Sequence, residues 1–349
     1  MISFSKRNCY NKYFFLTLTQ YIASILIIMI HCGRIFSPPI DFFFRSLICK
    51  TAVPLFLVST GYFVRKKVIR NESYKKIWWK RQIKNYFFLS AIYLPFGLMY
   101  IHQKINLALI FYPVALLVGI GYLGTYYHLW YFPALFLGMV LVSFGIKRLG
   151  IKVSIIFFAL LYSFGLIETY SSYLDNMKID QLFYVYKKYF FTPRNGIFYT
   201  PLFILLGFLI CDFQKHSFLI NRIKEKLFFC TVLMFFEGYV LYLNQGLDTN
   251  FLLSLPLFSL FLFLWLIQRE PQKIPIFFNL QKIKEYTKYY FFFHLIPLEL
   301  VKFFVPQIME GVSLTKGAIL LIITLPLTHI LSFGVIQLKK WSLGIFTFF

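Results

Sequence analysis

Acid is scarce in this chain: 13 Asp and Glu stand among 349 residues, against 36 Lys and Arg. Charged residues of both signs make up only 14%, where a soluble domain carries about 25%. That shortage excludes an ordinary water-facing surface. Cysteine is sparse as well. Five residues without paired spacing make neither a disulfide framework nor a zinc site, and no metal site or permanently bound cofactor is expected. The sequence has no phosphate-binding glycine loop, GxSxG elbow or HExxH helix, so the common soluble-enzyme signatures are excluded. It also lacks strand-like alternation over ten-residue segments, which argues against an outer-membrane barrel. No repeat of 20–50 residues, clear inverted repeat or Pro/Gly/Ser linker divides the chain. One domain over residues 1–349 is expected.

What is abundant is apolar: 59% of residues are hydrophobic, with 46 Phe and 25 Tyr, and the mean hydropathy is +0.69. Apolar runs of about 20 residues recur throughout and predict an all-α, polytopic membrane protein. About ten transmembrane spans are expected, at 13–35, 46–64, 83–101, 128–146, 153–171, 197–211, 227–243, 250–267, 289–305 and 317–337. Residues 107–122 are apolar but short and interrupted by Pro113 and glycines, and read as a re-entrant or surface segment. The first run is long and lacks a small-residue cleavage site, so it reads as a retained span. With the amino terminus inside, most of the 36 basic residues fall on one side: Lys6, Arg7 and Lys12, the 65–84 cluster, and the connections around 147–152, 215–226, 269–288 and 339–340. Both termini are therefore expected in the cytoplasm, with the 172–196 connection outside. The net charge of +23 reads as positive-inside signal and attraction to anionic membrane lipid, not as nucleic-acid binding.

Polar groups inside a membrane are costly and mark candidate sites. His31 lies near the outer end of the first span. Lys50 falls in the first turns of the second, His128 opens the fourth from outside, and Arg194 precedes the sixth. All four share the outer level. Each also has a plainer reading. Lys50 can snorkel to headgroups, His31 can bond a carbonyl, and His128, Trp130 and Tyr131 can form an interfacial aromatic belt. Arg194 can be a loop cation. Glu237 sits near the middle of the seventh span without a sequence-local partner; it is either neutral or paired with a cation from another helix, Arg194, Lys50 or a histidine. His294 and Glu299 are too far apart around their helix to form one tight pair, and His329 reads as structural. Cys32 and Cys49 flank His31 and Lys50; inert buried thiols are the commoner state, although a disulfide or thioester carrier is conceivable.

Five segments, in order, resemble the membrane acyltransferase family 3: "YIASILIIMIHCGRIF", "CKTAVPLFLVSTGYFV", "HLWYFPALFLGMVL", "RNGIFYTPLFILLGFLI" and "YYFFFHLIPLELV". The likeness covers about 13–335. "MFFEGYVLYL" is similar to a segment of the subgroup that includes the membrane domain of vancomycin-resistance serine racemases. The resemblance implies a ten-helix enzyme of the bacterial plasma membrane. Such an enzyme moves an acyl group, most simply acetyl, from cytoplasmic acyl-CoA to a hydroxyl of an extracytoplasmic or lipid-linked glycan. It implies a catalytic role for His31, as base or nucleophile, and places Lys50, His128, Trp130, Arg194 and Asn195 in matching motif positions. With Glu237 they are the candidate substrate or acyl-CoA binding residues; Gln20, Arg34 and His294 are further candidates. Many members carry an arginine where this chain has Gln20, and a neutral amide cannot neutralise phosphate or thioester charge. Either Lys50 or Arg194 supplies it, or the chain belongs to the subgroup without that arginine. Acyl transfer needs a base for the hydroxyl proton and donors near the developing oxyanion; the 65–84 cluster is a candidate for the CoA phosphates. The competing reading is a transporter or flippase for a lipid-linked sugar. A fused racemase module is not expected at this length.

Overall fold

The computed structural model describes residues 13–105, 107–174, 178–269, 279–305 and 314–341. Lys6, Arg7, Cys9, Lys12 and Lys273 lie outside them. Every longer element is a helix: α1 (Phe14–His31), α2 (Ala52–Arg70), α3 (Tyr74–Tyr100), α4 (Tyr131–Thr169), α5 (Lys178–Phe190), α6 (Thr200–Phe213), α7 (Ile223–Leu243), α8 (Leu255–Gln268), α9 (Leu280–Phe293), α10 (Leu295–Phe304) and α11 (Leu314–Trp341). Strands are absent among the described residues. Lipid offers the backbone no hydrogen-bond partners, so a chain this apolar satisfies its peptide groups within helices. Among the described residues, five stretches are long and apolar enough to cross a membrane: Phe14–His31, Pro38–Arg70, Tyr131–Thr169, Ile223–Leu243 and Lys316–Lys339.

Several helices extend beyond the apolar runs that announce them. Pro38–Arg70 is helical over 33 residues, so Lys50 lies well inside this stretch and not in its first turns. The winding there is irregular: π over Phe44–Ile48, then 3-10 over Cys49–Thr51, then α. α3 begins at Tyr74, inside the 65–84 cluster. That cluster is therefore two helix ends joined at Asn71, whose side chain accepts from the Ser73 backbone N–H at 3.0 Å. α4 runs 39 residues but is broken at Gly150, with φ 74° and ψ 170°. This conformation favours glycine, and it divides the two expected spans 128–146 and 153–171. The ninth expected span is helical from Leu280 and is interrupted at His294. Pro297 explains the interruption, because it has no N–H for the carbonyl of Phe293 and its ring crowds that carbonyl. The 172–196 connection contains the 13-residue α5. Residues 109–123 are wound in short pieces whose side chains are largely exposed, Ile110 by 79%.

The contacts cluster into two compact units. Among the described residues, one comprises 13–56, 215–243 and 257–341; the other comprises 57–214 and 244–256. In the first, α1 lies along α9, and α11 packs on both α9 and α10. α7 packs on the Pro38–Ile48 segment through Leu47 against Gly238 and Phe43 against Tyr242. In the second, α4 lies along α6. α2 and α6 meet backbone to backbone: a Cβ on Gly61 would sit 2.4 Å from the Ile204 carbonyl oxygen, and one on Gly207 would sit 2.3 Å from that of Val58. Such small-residue contacts replace the hydrophobic drive that lipid removes.

Candidate functional site

The first unit holds Gln20, His31, Arg34, Lys50, Glu237 and His294. α1 carries His31 at its last position, half-buried. Its ring stacks on that of His294, with centroids 5.3 Å apart and planes at 23°. His294 is fully buried. Its Nδ1 lies 2.9 Å from the Tyr290 carbonyl oxygen and 3.1 Å from that of Phe291. Carbonyls only accept, so Nδ1 carries a proton; in the neutral ring Nε2 then keeps the lone pair. One turn below, the Tyr290 hydroxyl lies 2.7 Å from Nδ1 of His329 and accepts from the Tyr21 hydroxyl at 3.3 Å. His329, expected to be structural, also stacks on Tyr286 at 4.6 Å.

Lys50 is half-buried and sits between the π and α windings. Local π winding recurs at functional sites because it re-aims one side chain. Glu237 is buried on α7, beside the Gly238–Leu47 contact, so both residues flank the same helix crossing. Gln20 is half-buried on α1, and Arg34 is exposed after it. Arg45, outside the expected set, donates to the Ile30 carbonyl at 3.1 Å and lies 3.7 Å from Asp41. Asp41 in turn accepts from the backbone N–H groups of Ile35 and Phe36, which ties the residues after His31 to the start of the second helical stretch. Cys32 and Cys49 are buried free thiols, not a disulfide; the Cys32 thiol donates to the Ile28 carbonyl. Glu299 pairs with Lys302 at 3.0 Å.

The second unit holds His128, Trp130, Arg194 and Asn195. His128 lies in the turn before α4 and is buried, with its ring edge-on to Tyr93 at 4.5 Å. The Arg194 guanidinium lies 4.8 Å from the Trp130 ring and donates to Asn250 Oδ1 at 3.0 Å; the Asn250 amide donates to Asp248 at 2.6 Å. Asn195 is buried and engaged on both sides. Its Oδ1 accepts from the N–H groups of Ile197 and Phe198. Its amide donates to the Tyr122 hydroxyl, the Tyr186 hydroxyl and the Thr192 carbonyl at 2.9–3.0 Å. It therefore holds the turn that presents Arg194. Burial, reinforced by the Tyr122 hydroxyl, pushes the Tyr186 phenol far above its usual range, so it remains a donor, to Thr192 at 3.1 Å. Nearby, Lys187 of α5 pairs at 3.0 Å with buried Glu168. Sequence reasoning missed Glu168, Asp248 and Asn250. With only 13 acids in the chain, Glu168 and Asp248 near the outer ends of expected spans were the available signal.

The four outer-level groups divide between the units: His31 and Lys50 in one, His128 and Arg194 in the other. A basic and aromatic pocket of about 220 Å³ opens among Arg65, Lys75, Trp78, Trp79 and Lys147 in the second unit. It places part of the 65–84 cluster around one cavity.

Long apolar helices bearing buried histidines define a multi-pass membrane protein. The chain belongs to the acyltransferase 3 family, whose acyltransferase-domain profile matches residues 13–336. It is 28% identical over 279 residues to an amino-acid racemase of Enterococcus faecalis, covering 73% of this chain and 37% of that protein. It is 29% identical over 266 residues to a serine/alanine racemase of Enterococcus gallinarum, again covering 73% and 37%. The chain thus spans about a third of the length of these curated relatives. No solved structure matches it.

Proposed function

We propose that the chain is an O-acyltransferase domain of the bacterial plasma membrane, with ten spans and both termini in the cytoplasm. It moves an acyl group, acetyl in the simplest case, from cytoplasmic acyl-CoA to a hydroxyl of an extracytoplasmic or lipid-linked glycan. The observation that carries this reading is the stacked His31–His294 pair in a member of the acyltransferase 3 family. His31 accepts the hydroxyl proton as the glycan oxygen attacks the thioester carbon. The C–O bond forms, the C–S bond breaks, and the proton passes to the departing thiolate to give free CoA. Alternatively, His31 attacks first and holds the acyl group until the hydroxyl arrives. His294, its tautomer fixed by two carbonyls, orients His31 through the stack. Lys50, in the same unit as His31, supplies positive charge for the oxyanion. In the second unit Arg194, positioned by Asn195, offers its guanidinium to sugar oxygens, and Trp130 and His128 offer aromatic faces. The pocket at Trp78, Trp79, Lys75 and Lys147 takes the nucleotide end of CoA. The racemase activity named for the relatives is not assigned to this chain.

Mass spectrometry of surface glycan from cells with and without the protein tests this reading. Loss of an ester-linked acyl group on glycan of unchanged backbone and amount is the expected result. Loss of the glycan itself from the surface, with acylation of the remainder intact, indicates the transporter or flippase and contradicts the proposal.

A further inference from the structure

A second cavity, of about 810 Å³, lies in the first unit between the start of α7 and the end of α8. The two helices meet there at opposite chain ends, which sorts the lining by depth. Arg222, Lys224 and Arg269 stand at the rim; Phe228, Thr231 and Trp265 follow one to two turns further in. One acid, Glu225, lines the groove with the three cations. Arg269 is held in place by rings, its guanidinium 4.7 Å from Phe15 and 4.9 Å from Trp265. A guanidinium set against aromatic faces keeps its N–H edge for an oxyanion. Arg222 has φ 54°, a conformation uncommon for a non-glycine residue, which persists where the surroundings enforce it. Lys226 is turned away, bonded to the Phe218 carbonyl. Phe228 in the groove and Phe229 next to it in sequence are exposed by 71% and 65%.

A rim of cations that grades within two turns into exposed apolar surface matches an amphiphile with an anionic head, not a free anion. We infer that this groove binds an anionic glycerophospholipid, with its phosphate between Arg222, Lys224 and Arg269 and its chains along Phe228 and Trp265. The catalytic reading is not needed for this assignment. Only the choice of leaflet rests on the proposed topology, which places the rim in the cytoplasmic leaflet where basic residues are enriched.

Native mass spectrometry of the purified chain in neutral detergent tests the inference, because it reads binding irrespective of orientation and of acyl transfer. Phosphatidylglycerol is expected to be retained over phosphatidylcholine. The R222Q/K224Q/R269Q variant is expected to lose that preference by about 100-fold, from about 1 kcal/mol per cation. Removing the same charge at Lys76, Lys80 and Lys84 is expected to leave it intact, and R222K/R269K, which keeps the charge should the Gln variant fail to fold, is expected to retain most of it. Equal retention of the two lipids, a loss no larger in the groove variant than in the Lys76/Lys80/Lys84 variant, or complete displacement by millimolar inorganic phosphate overturns the assignment.

Discussion

Asn195 connects five neighbours through one side chain, and its value is local before it is chemical. Replacing it with Ala leaves two backbone N–H groups and two tyrosine hydroxyls of a buried turn short of partners. At about 1 kcal/mol net for each lost hydrogen bond, less what the turn recovers by shifting, Asn195→Ala is expected to cost about 2–4 kcal/mol. Thermal unfolding in detergent measures this; an unchanged midpoint contradicts the account of the turn. At this scale the motif "RN" was legible as a place of interest, but its division of labour was not. Arg194 faces Trp130 and Asn250, while Asn195 faces inward. Asn250 is distant in sequence and joins Arg194 only through the fold, so no local pattern announces it. The stack of His294 on His31 was hidden for the same reason.

Helix packing depends on very small residues at a few crossings. Gly207 lets α6 approach α2 so closely that an added Cβ would overlap the Val58 carbonyl oxygen and the Tyr62 nitrogen, at 2.3 and 2.6 Å. These are backbone atoms and cannot step aside as a side-chain end does. Gly207→Val is therefore expected to destabilise the second unit by about 1–3 kcal/mol or more, read as earlier aggregation on heating; Gly334→Val, with nothing within 4 Å of its added Cβ, is the tolerant control. Equal stability of the two variants contradicts the close crossing. The order of helices was legible from hydropathy, because apolar length reports which stretches lipid accepts. Helix ends were less legible. Tyr74–Lys84 and Leu280–Lys288 are helical yet charged, and hydropathy sees the bilayer, not the hydrogen-bond ladder. The π winding at Phe44–Ile48 and the 13-residue α5 leave no hydropathy signature either.

For the whole molecule, the proposed topology makes Ser73 cytoplasmic and Leu182, exposed by 69% on α5, extracytoplasmic. In a background with the native cysteines replaced by Ala, an impermeant thiol reagent applied to intact cells is expected to label Leu182→Cys and not Ser73→Cys; the reverse pattern contradicts the orientation. That orientation brings a hydroxyl acceptor to the level of His31 and leaves acyl-CoA on the other face, so the central claim rests on this one imidazole. The most direct measurement is transfer of labelled acetyl from acetyl-CoA to glycan in membranes carrying His31→Gln, at matched protein abundance. Gln keeps hydrogen bonding but has no basicity near neutral pH. The account predicts a loss of about 100- to 10,000-fold, larger if His31 carries the acyl group covalently. Transfer by the Gln variant at the wild-type rate would contradict the assignment of His31 as base or nucleophile.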